Sequence, residues 1–467
     1  MIHRPQPSPY RPEKAILALG GAFYDEVEAA EFPQTILRFR NQRWAEAVGL
    51  GDLSDEEWLQ HFGRFESLPD NLQRPLALRY HGHQFRVYNP EIGDGRGFLF
   101  AQIRDGADRL LDLGTKGSGQ TPYSRFGDGR LTLKGGVREV LATEMLEALG
   151  VETSKSFSLI ETGEALERND EPSPTRSSVL VRLQHSHIRI GTFQRLAYFG
   201  EAENMRRLTD YCLHHYYGES GGEDGPARLL AHVAKAAARL AASYIAAGFV
   251  HGVLNSDNIA ITTESFDYGP WRWTPYWDGT FTAAYFDHIG LYAFGRQPEA
   301  IHWDVMQLAR SLTAIAEAEA LTPVLEAFPA DFQAALVDAV LERLGVKPKA
   351  DGRDTDLLVA LETALAKKTV EIDRFFFDWR GGRRRGPSPA DPHYETDEFA
   401  DLCSLIEDYE PAATLDHPYW SEEVPCSMHI DEVEAIWARI DEADDWSPFE
   451  TKIEAIRRMG EAMRGRP

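Results

Sequence analysis

The sequence predicts an α+β molecule made of a small strand-rich lobe and a larger, mainly helical lobe. Three observations predict it. Between about 75 and 190, short β-prone runs alternate with glycine-rich turns around a single helical stretch. Beyond about 195, apolar residues recur at helical spacing in alanine-rich segments. Between those segments lies the octet His251-Gly252-Val253-Leu254-Asn255-Ser256-Asp257-Asn258, followed by Asp267-Tyr268-Gly269. A chain of 467 residues has ample core for two or three domains or one large two-lobed unit.

Taken in order, residues 1–74 read as an N-terminal extension of Pro-rich coil with short amphipathic pieces such as Gln34–Val48. The small lobe spans 75–194, with strands expected at Gly97–Ile103, Leu110–Leu113 and Ser178–Leu183. Its helix is expected over Gly136–Leu149, ended by Gly150. The helical lobe spans 195–380, with helices over Gly225–Ala247 and His302–Ala320. Within it, Phe249-Val250 and Ile259–Ile261 suit two short strands flanking the octet. Gly381–Pro387 predicts an exposed linker, and its three arginines could also contact nucleic acid. The remainder, to 467, is acid-rich with helices near Asp431–Asp441 and Pro448–Met463, and no internal repeat occurs.

Charge narrows the function. With 49 basic against 74 acidic residues, a net charge of −25 repels phosphate backbones and anionic lipid. Nucleic-acid and membrane-surface partners are therefore not expected, while a local basic pocket for one nucleotide is compatible. Cys212, Cys403 and Cys426 are odd in number and lack metal-ligand spacing, which points to a reducing compartment. The N-terminus has no apolar signal region, and no run approaches the roughly 20 apolar residues of a membrane span. A cytoplasmic location follows as the expectation.

The octet carries the chemistry. Laid over the protein-kinase catalytic loop, H-R-D-L-x-x-x-N followed by D-F-G, His251, Leu254 and Asn258 fall in register and Asp267-Tyr268-Gly269 takes the D-F-G place. Helix, short strand, loop, short strand and D-Y-G is also the kinase order. Val253 replaces the kinase's catalytic Asp, and Asp257 is the available substitute base. Its other roles would be support of a metal or a loop cap. Asn258 and Asp267 offer hard oxygen ligands of the kind Mg²⁺ takes beside phosphates, although both residue types are common turn formers.

Lys116 ends an apolar run that enters a glycine-rich turn, as a phosphate-binding strand lysine does. Glu139 is its best helix partner, with Glu144 and Glu147 as competitors. Ile92-Gly93-Asp94-Gly95-Arg96-Gly97 and Gly127-Asp128-Gly129-Arg130 could close backbone N–H groups and a guanidinium around phosphate, or serve as plain hairpin turns. Arg182 and Arg189 add cations beside the expected lobe junction. His185 and His187 have strand-face spacing but no third ligand for zinc, and no G-x-S-x-G elbow is present.

Together, Gly114–Arg130, Arg138-Glu139, Ser186–Phe193 and the octet with Asp267-Tyr268-Gly269-Pro270 resemble the selenoprotein O family (SelO, also YdiU), with a match from about Arg79 to about Leu312. The resemblance implies a protein-kinase-like bilobal fold that binds ATP in a flipped orientation. It implies transfer of AMP, or as also proposed for bacterial members UMP, to hydroxyl side chains of proteins. It assigns Lys116 to the phosphates with Glu139 as partner, and Gly93, Gly95, Arg96, Asp128, Gly129, Arg182 and Arg189 to the nucleotide. Asp257 becomes the proton acceptor, and Asn258 and Asp267 the ligands of Mg²⁺ or Mn²⁺. Two departures stand out: the last cysteine is Cys426, whereas family members often carry a cysteine or selenocysteine near the C-terminus, and the region after about Arg385 matches poorly. A γ-phosphate kinase and an inactive nucleotide-binding scaffold are the competing readings.

Overall fold

The computed structural model describes residues 6–169, 171–349, 351–412 and 414–465. Its strands are β1 (Pro12–Glu13), β2 (Tyr24–Glu26), β3 (Ile36–Arg40), β4 (Leu76–Leu78), β5 (Gly82–Gln84), β6 (Val87–Asn89), β7 (Leu99–Arg104), β8 (Leu110–Lys116), β9 (Leu131–Thr132), β10 (Lys155–Leu166), β11 (Thr175–Gln184), β12 (Phe249–Val250) and β13 (Arg272–Trp273). Nine of them form one antiparallel sheet in the order β2-β4-β7-β8-β11-β10-β3, with β1 on β7 and β9 on β11. Three strands of this sheet come from the first 74 residues.

Alternation along the central strands explains how the sheet is covered. On β11, Leu180 packs with Leu110, Leu159 and the apolar side of helix α3 (Leu133–Ala148). Its neighbours Val179 and Val181 face the other way, into an aromatic layer of Trp44, Trp58, Phe62, Phe100 and Phe157. Trp44 of that layer comes from α1 (Gln42–Ala47) and Trp58 and Phe62 from α2 (Asp55–Phe62), while Phe100 and Phe157 come from the sheet itself. Gln34–Val48 is thus not one amphipathic piece. It splits into β3 and α1 at Asn41, whose buried side chain bonds Glu144 and the carbonyl of Ser156.

Helix α3 begins three residues before the expected start because Thr132 caps it, its hydroxyl accepting from the Gly135 N–H. Gly150 follows the helix at φ +88°. The chain then becomes helical: α4 (Ile190–Phe199), α5 (Ala202–Tyr217), α6 (Gly225–Ala247), α7 (Gln297–Leu312), α8 (Ala318–Leu344), α9 (Arg353–Leu365), α10 (Ile372–Asp378), α11 (Asp391–Tyr394) and α12 (Asp397–Glu407). The chain closes with α13 (Ile430–Ala443) and α14 (Ser447–Arg464). Helix α6 has the expected bounds, whereas His302–Ala320 crosses the break between α7 and α8.

Two local expectations are corrected. Phe249-Val250 forms the expected strand β12, paired with Arg272–Trp273, but Ile259–Ile261 is not a strand, Ala260 making a single bridge to Arg189. Gly381–Pro387 is not simply an exposed linker: Gly381 and Gly382 are buried at positive φ. Arg384 lies over the Trp379 and Tyr394 rings, and Arg385 over Phe377 and Trp420. Planar guanidinium groups stack on aromatic faces, so these arginines pack rather than wave in solvent.

Candidate nucleotide site

A cavity of about 750 Å³ opens beside the ends of β7 and β8, lined by the two glycine-rich turns, Lys116, Arg182, Arg189, Asp257 and Asp267. Its floor is the C-terminal end of β8, a fully buried strand that delivers Lys116 at 4% exposure. Lys116 Nζ lies 2.6 Å from Glu139 Oε2 and 2.7 Å from Asp267 Oδ1. Arg182 Nη1 stands 3.4 Å from Glu139 and 3.6 Å from Asp267. The competitors Glu144 and Glu147 point elsewhere, to Arg457, Arg43 and Trp44.

Arg189 ties the turn to the octet. Its Nη2 lies 3.2 Å from Asp94 Oδ1, and its Nη1 donates to the Asp257 carbonyl at 2.9 Å. The guanidinium rests over the Tyr80 and Phe266 rings. Asp94 in turn accepts from the Leu78 N–H at 3.0 Å. The glycines of this turn have a packing reason: a Cβ at Gly93 would sit 2.5 Å from the Tyr123 ring, and one at Gly95 2.9 Å from the Tyr123 carbonyl. Arg96 lines the cavity with no ion pair to another described residue.

The second turn lies at the mouth. Asp128 is exposed and paired with Arg168 at 2.8 Å, while Gly129 has φ +70° and no room for a Cβ against Gly119. Arg130 pairs with Glu164 at 2.8 Å.

Asp257 and Asp267 share the cavity but differ in charge. Asp257 is 7% exposed, and its Oδ1 has no hydrogen-bond partner. Burial pushes its pKa up to about 7; nearby Asp267 adds to this and Arg189 opposes it. Burial alone would also raise Asp267, but Lys116, Arg182, Arg189 and Arg96 hold it well below the usual carboxylate range. Asp267 adopts φ +63°, a left-handed conformation uncommon for a non-glycine residue.

The octet is held by a hairpin that sequence reasoning did not single out. The His83 N–H donates to Ser256 Oγ and the Phe85 N–H to Asn255 Oδ1. A Cβ at Gly82 would lie 2.6 Å from Asp257 Oδ1, so only glycine fits over the carboxylate. No local signal marks this strand pair; Asp94 and Tyr123, by contrast, lie inside or beside motifs already noted. Asn258 Nδ2 donates to the Val253 carbonyl at 3.0 Å, and Asn258 itself does not line the cavity. His187 packs against Gly114 and Asp112. No group of three or more His, Cys, Asp or Glu suited to a metal occurs among the described residues.

A lysine–glutamate pair, several arginines and two carboxylates, Asp257 buried and Asp267 partly exposed, meet at one cavity of a strongly acidic chain, a lining whose charge suits an anionic phosphate ligand. Comparison with known proteins gives the family. Residues 9–390 match the family model described as protein adenylyltransferase SelO, and the chain belongs to that family. It is 41% identical to the protein nucleotidyltransferase YdiU of Trichodesmium erythraeum (strain IMS101), covering 95% of this chain and 98% of that protein. The protein of the same name from Gloeobacter violaceus is also 41% identical, over 96% of this chain and 95% of its own length. The chain is a nucleotidyltransferase of a family that uses ATP as substrate. The family match, 9–390, is longer than Arg79–Leu312 and stops close to Arg385, while the 95% coverage by the Trichodesmium relative carries that alignment into the acidic C-terminal region. Among the described residues, no helix is long and apolar enough to cross a membrane.

Proposed function

We propose that the chain transfers AMP from ATP to Ser, Thr or Tyr hydroxyls of proteins, with Asp257 as general base. One observation carries this: two carboxylates line a single cavity, one pushed up to about 7 and the other held far down. Environments that drive two such groups apart mark a proton acceptor and a permanent anion. In the step, the acceptor oxygen attacks the α-phosphorus and its proton passes to Asp257. The bond from that phosphorus to the bridging oxygen breaks, and pyrophosphate leaves. Arg96, Lys116, Arg182 and Arg189 meet the charge on the leaving group. This requires the triphosphate to lie reversed relative to a kinase, with its α-phosphorus toward Asp257.

The donor set suits Mg²⁺ or Mn²⁺. Asp267 gives a carboxylate to the cavity; Asn258 lies outside the lining, and its amide, with its nitrogen committed to Val253, would offer its oxygen as the second ligand. Two hard oxygen ligands completed by phosphates and water are what Mg²⁺ usually takes from protein. Such an ion would neutralise phosphate charge. Gly93, Gly95, Asp128 and Gly129 would shape the cavity around the nucleotide. The lysine–glutamate pair and the loop register support a kinase-like bilobal core, with lobes at 75–194 and 195–380, extended by 1–74 and 381–467.

The test incubates purified chain and protein acceptors with α-labelled or γ-labelled ATP and Mg²⁺ or Mn²⁺, and with α-labelled UTP in parallel. Transfer from α-labelled ATP alone is expected. Transfer from γ only means a kinase, preference for UTP means uridylylation, and no transfer leaves a scaffold.

A further inference from the structure

Helix α3 presents Glu139 to Lys116, and its other faces are gripped from outside the cavity. Glu144, at 3% exposure, receives a two-point pair from Arg457 of α14, Nε to Oε2 and Nη2 to Oε1, each 2.8 Å. The same carboxylate meets Asn41 at 3.2 Å and Arg43 at 3.3 Å. The helices touch closely: a Cβ on Gly460 would stand 3.1 Å from Ala148 Cα. Nearer the start of α3, Glu434 of α13 takes Lys134 at 2.6 Å and Arg138 at 3.7 Å. Arg138 immediately precedes Glu139. It also donates to the Trp271 carbonyl at 3.0 Å and lies 4.6 Å over the Trp271 ring, four residues after Asp267. Both gripping helices begin beyond residue 390, where the family match ends.

We propose that α13 and α14 are a built-in clamp on α3, in which Arg457 and Glu434 are positioning residues that keep Glu139 on Lys116. This rests on the reading of Lys116 as the phosphate-binding lysine. The consequence is geometric. Lys116 Nζ is shared between Glu139 and Asp267, so withdrawal of α3 leaves the lysine with Asp267 alone. The cation is then misplaced for the phosphates, and the carboxylate is tied up. A displacement of about 1 Å at such a site can cost on the order of 100-fold.

The test uses the full chain and ATP–Mg²⁺, with affinity read by calorimetry, α-label transfer read in parallel, and thermal melts as a control. Glu434→Gln changes a side chain that is 45% exposed, so the fold is expected to stand. It should weaken affinity several-fold. Arg457→Ala should lose more, up to about 100-fold in transfer, with part of the loss recovered in Arg457→Lys. Both effects should nearly vanish in a Glu139→Gln background, because residues acting through one partner are not additive. Equal losses with and without Glu139 would show general support of the fold and overturn the clamp. So would unchanged affinity and transfer in both variants. If Arg457→Ala does not fold, Glu434→Gln decides alone. Failure of the unaltered chain to bind ATP–Mg²⁺ overturns the nucleotide reading itself, an outcome distinct from loss of the clamp only.

Discussion

Asp257 and Asp267 meet in one cavity under opposite pressures, and each pressure gives a measurable outcome. If Asp257 is the base, Asp257→Asn keeps ATP–Mg²⁺ binding while transfer falls roughly 10²–10⁴-fold, the usual loss for a general base. The sign of the pH effect follows from its raised pKa. The carboxyl is protonated and idle below about 7 and ionised above it, so transfer climbs with pH through that value. That ascending limb should be missing from a rate–pH profile of Asp257→Asn. Asp267→Ala removes the carboxylate that lines the cavity 2.7 Å from Lys116 and should abolish the Mg²⁺-dependent part of nucleotide binding measured calorimetrically. Asn258→Ala should weaken it less, because water replaces a neutral ligand more easily. At this scale the sequence was readable wherever a motif has fixed spacing: Lys116, Glu139, Asp257 and Asp267 converge as proposed partners of one site. Gly82 was not readable, because its value comes from Asp257, far away in the chain, and Asp94 was readable only as part of a turn, its pairing with Arg189 being equally remote.

Helix α3 shows how an element is placed by what it cannot hold. A Cβ at Gly136 would run into the Leu159 side chain and lie 2.8 Å from Ser178 Oγ, so the helix reaches the sheet only with glycine there. Gly136→Val should lower the melting temperature, with an overpacking cost of about 1–3 kcal/mol. Gly150→Ala meets nothing within 4 Å but must keep φ +88°, so its cost is conformational and should be smaller, about 1 kcal/mol. Equal destabilisation in thermal melts of the two variants would refute that ranking. Periodicity found α3 and α6 but not β10, whose sequence Lys155–Leu166 mixes serines, glutamates and a glycine. Its strand state is imposed by β11 on one side and β3 on the other, a long-range cause with no local trace. The same holds at Asn41, where a buried side chain, not a proline or glycine, separates β3 from α1.

Over the whole molecule, a change from strand-rich to helix-rich sequence was legible, but the wrapping of both chain ends around α3 and the sheet was not. Asp444 reaches Arg176 at 2.7 Å and Arg38 at 3.1 Å, pairs separated by more than 260 residues that no window along the chain reports. The net charge of −25 works against binding of phosphate backbones, yet the cavity gathers Arg96, Lys116, Arg182 and Arg189. Cations are therefore concentrated where one nucleotide would enter. This organisation bears on the direction of transfer. In the kinase pattern the base stands at the position of Val253, but here Asp257 lines the cavity and Val253 does not. The Val253 backbone is also occupied, its carbonyl by Asn258 and its N–H by His251. A carboxylate restored there would stand away from the reacting phosphorus, and the triphosphate is proposed to lie the other way round. Val253→Asp should thus leave γ-label transfer near background while α-label transfer persists. Efficient γ-phosphorylation by that single variant would show that the reversed nucleotide is wrong for this chain, and that Asp257 had displaced the kinase base without changing the chemistry.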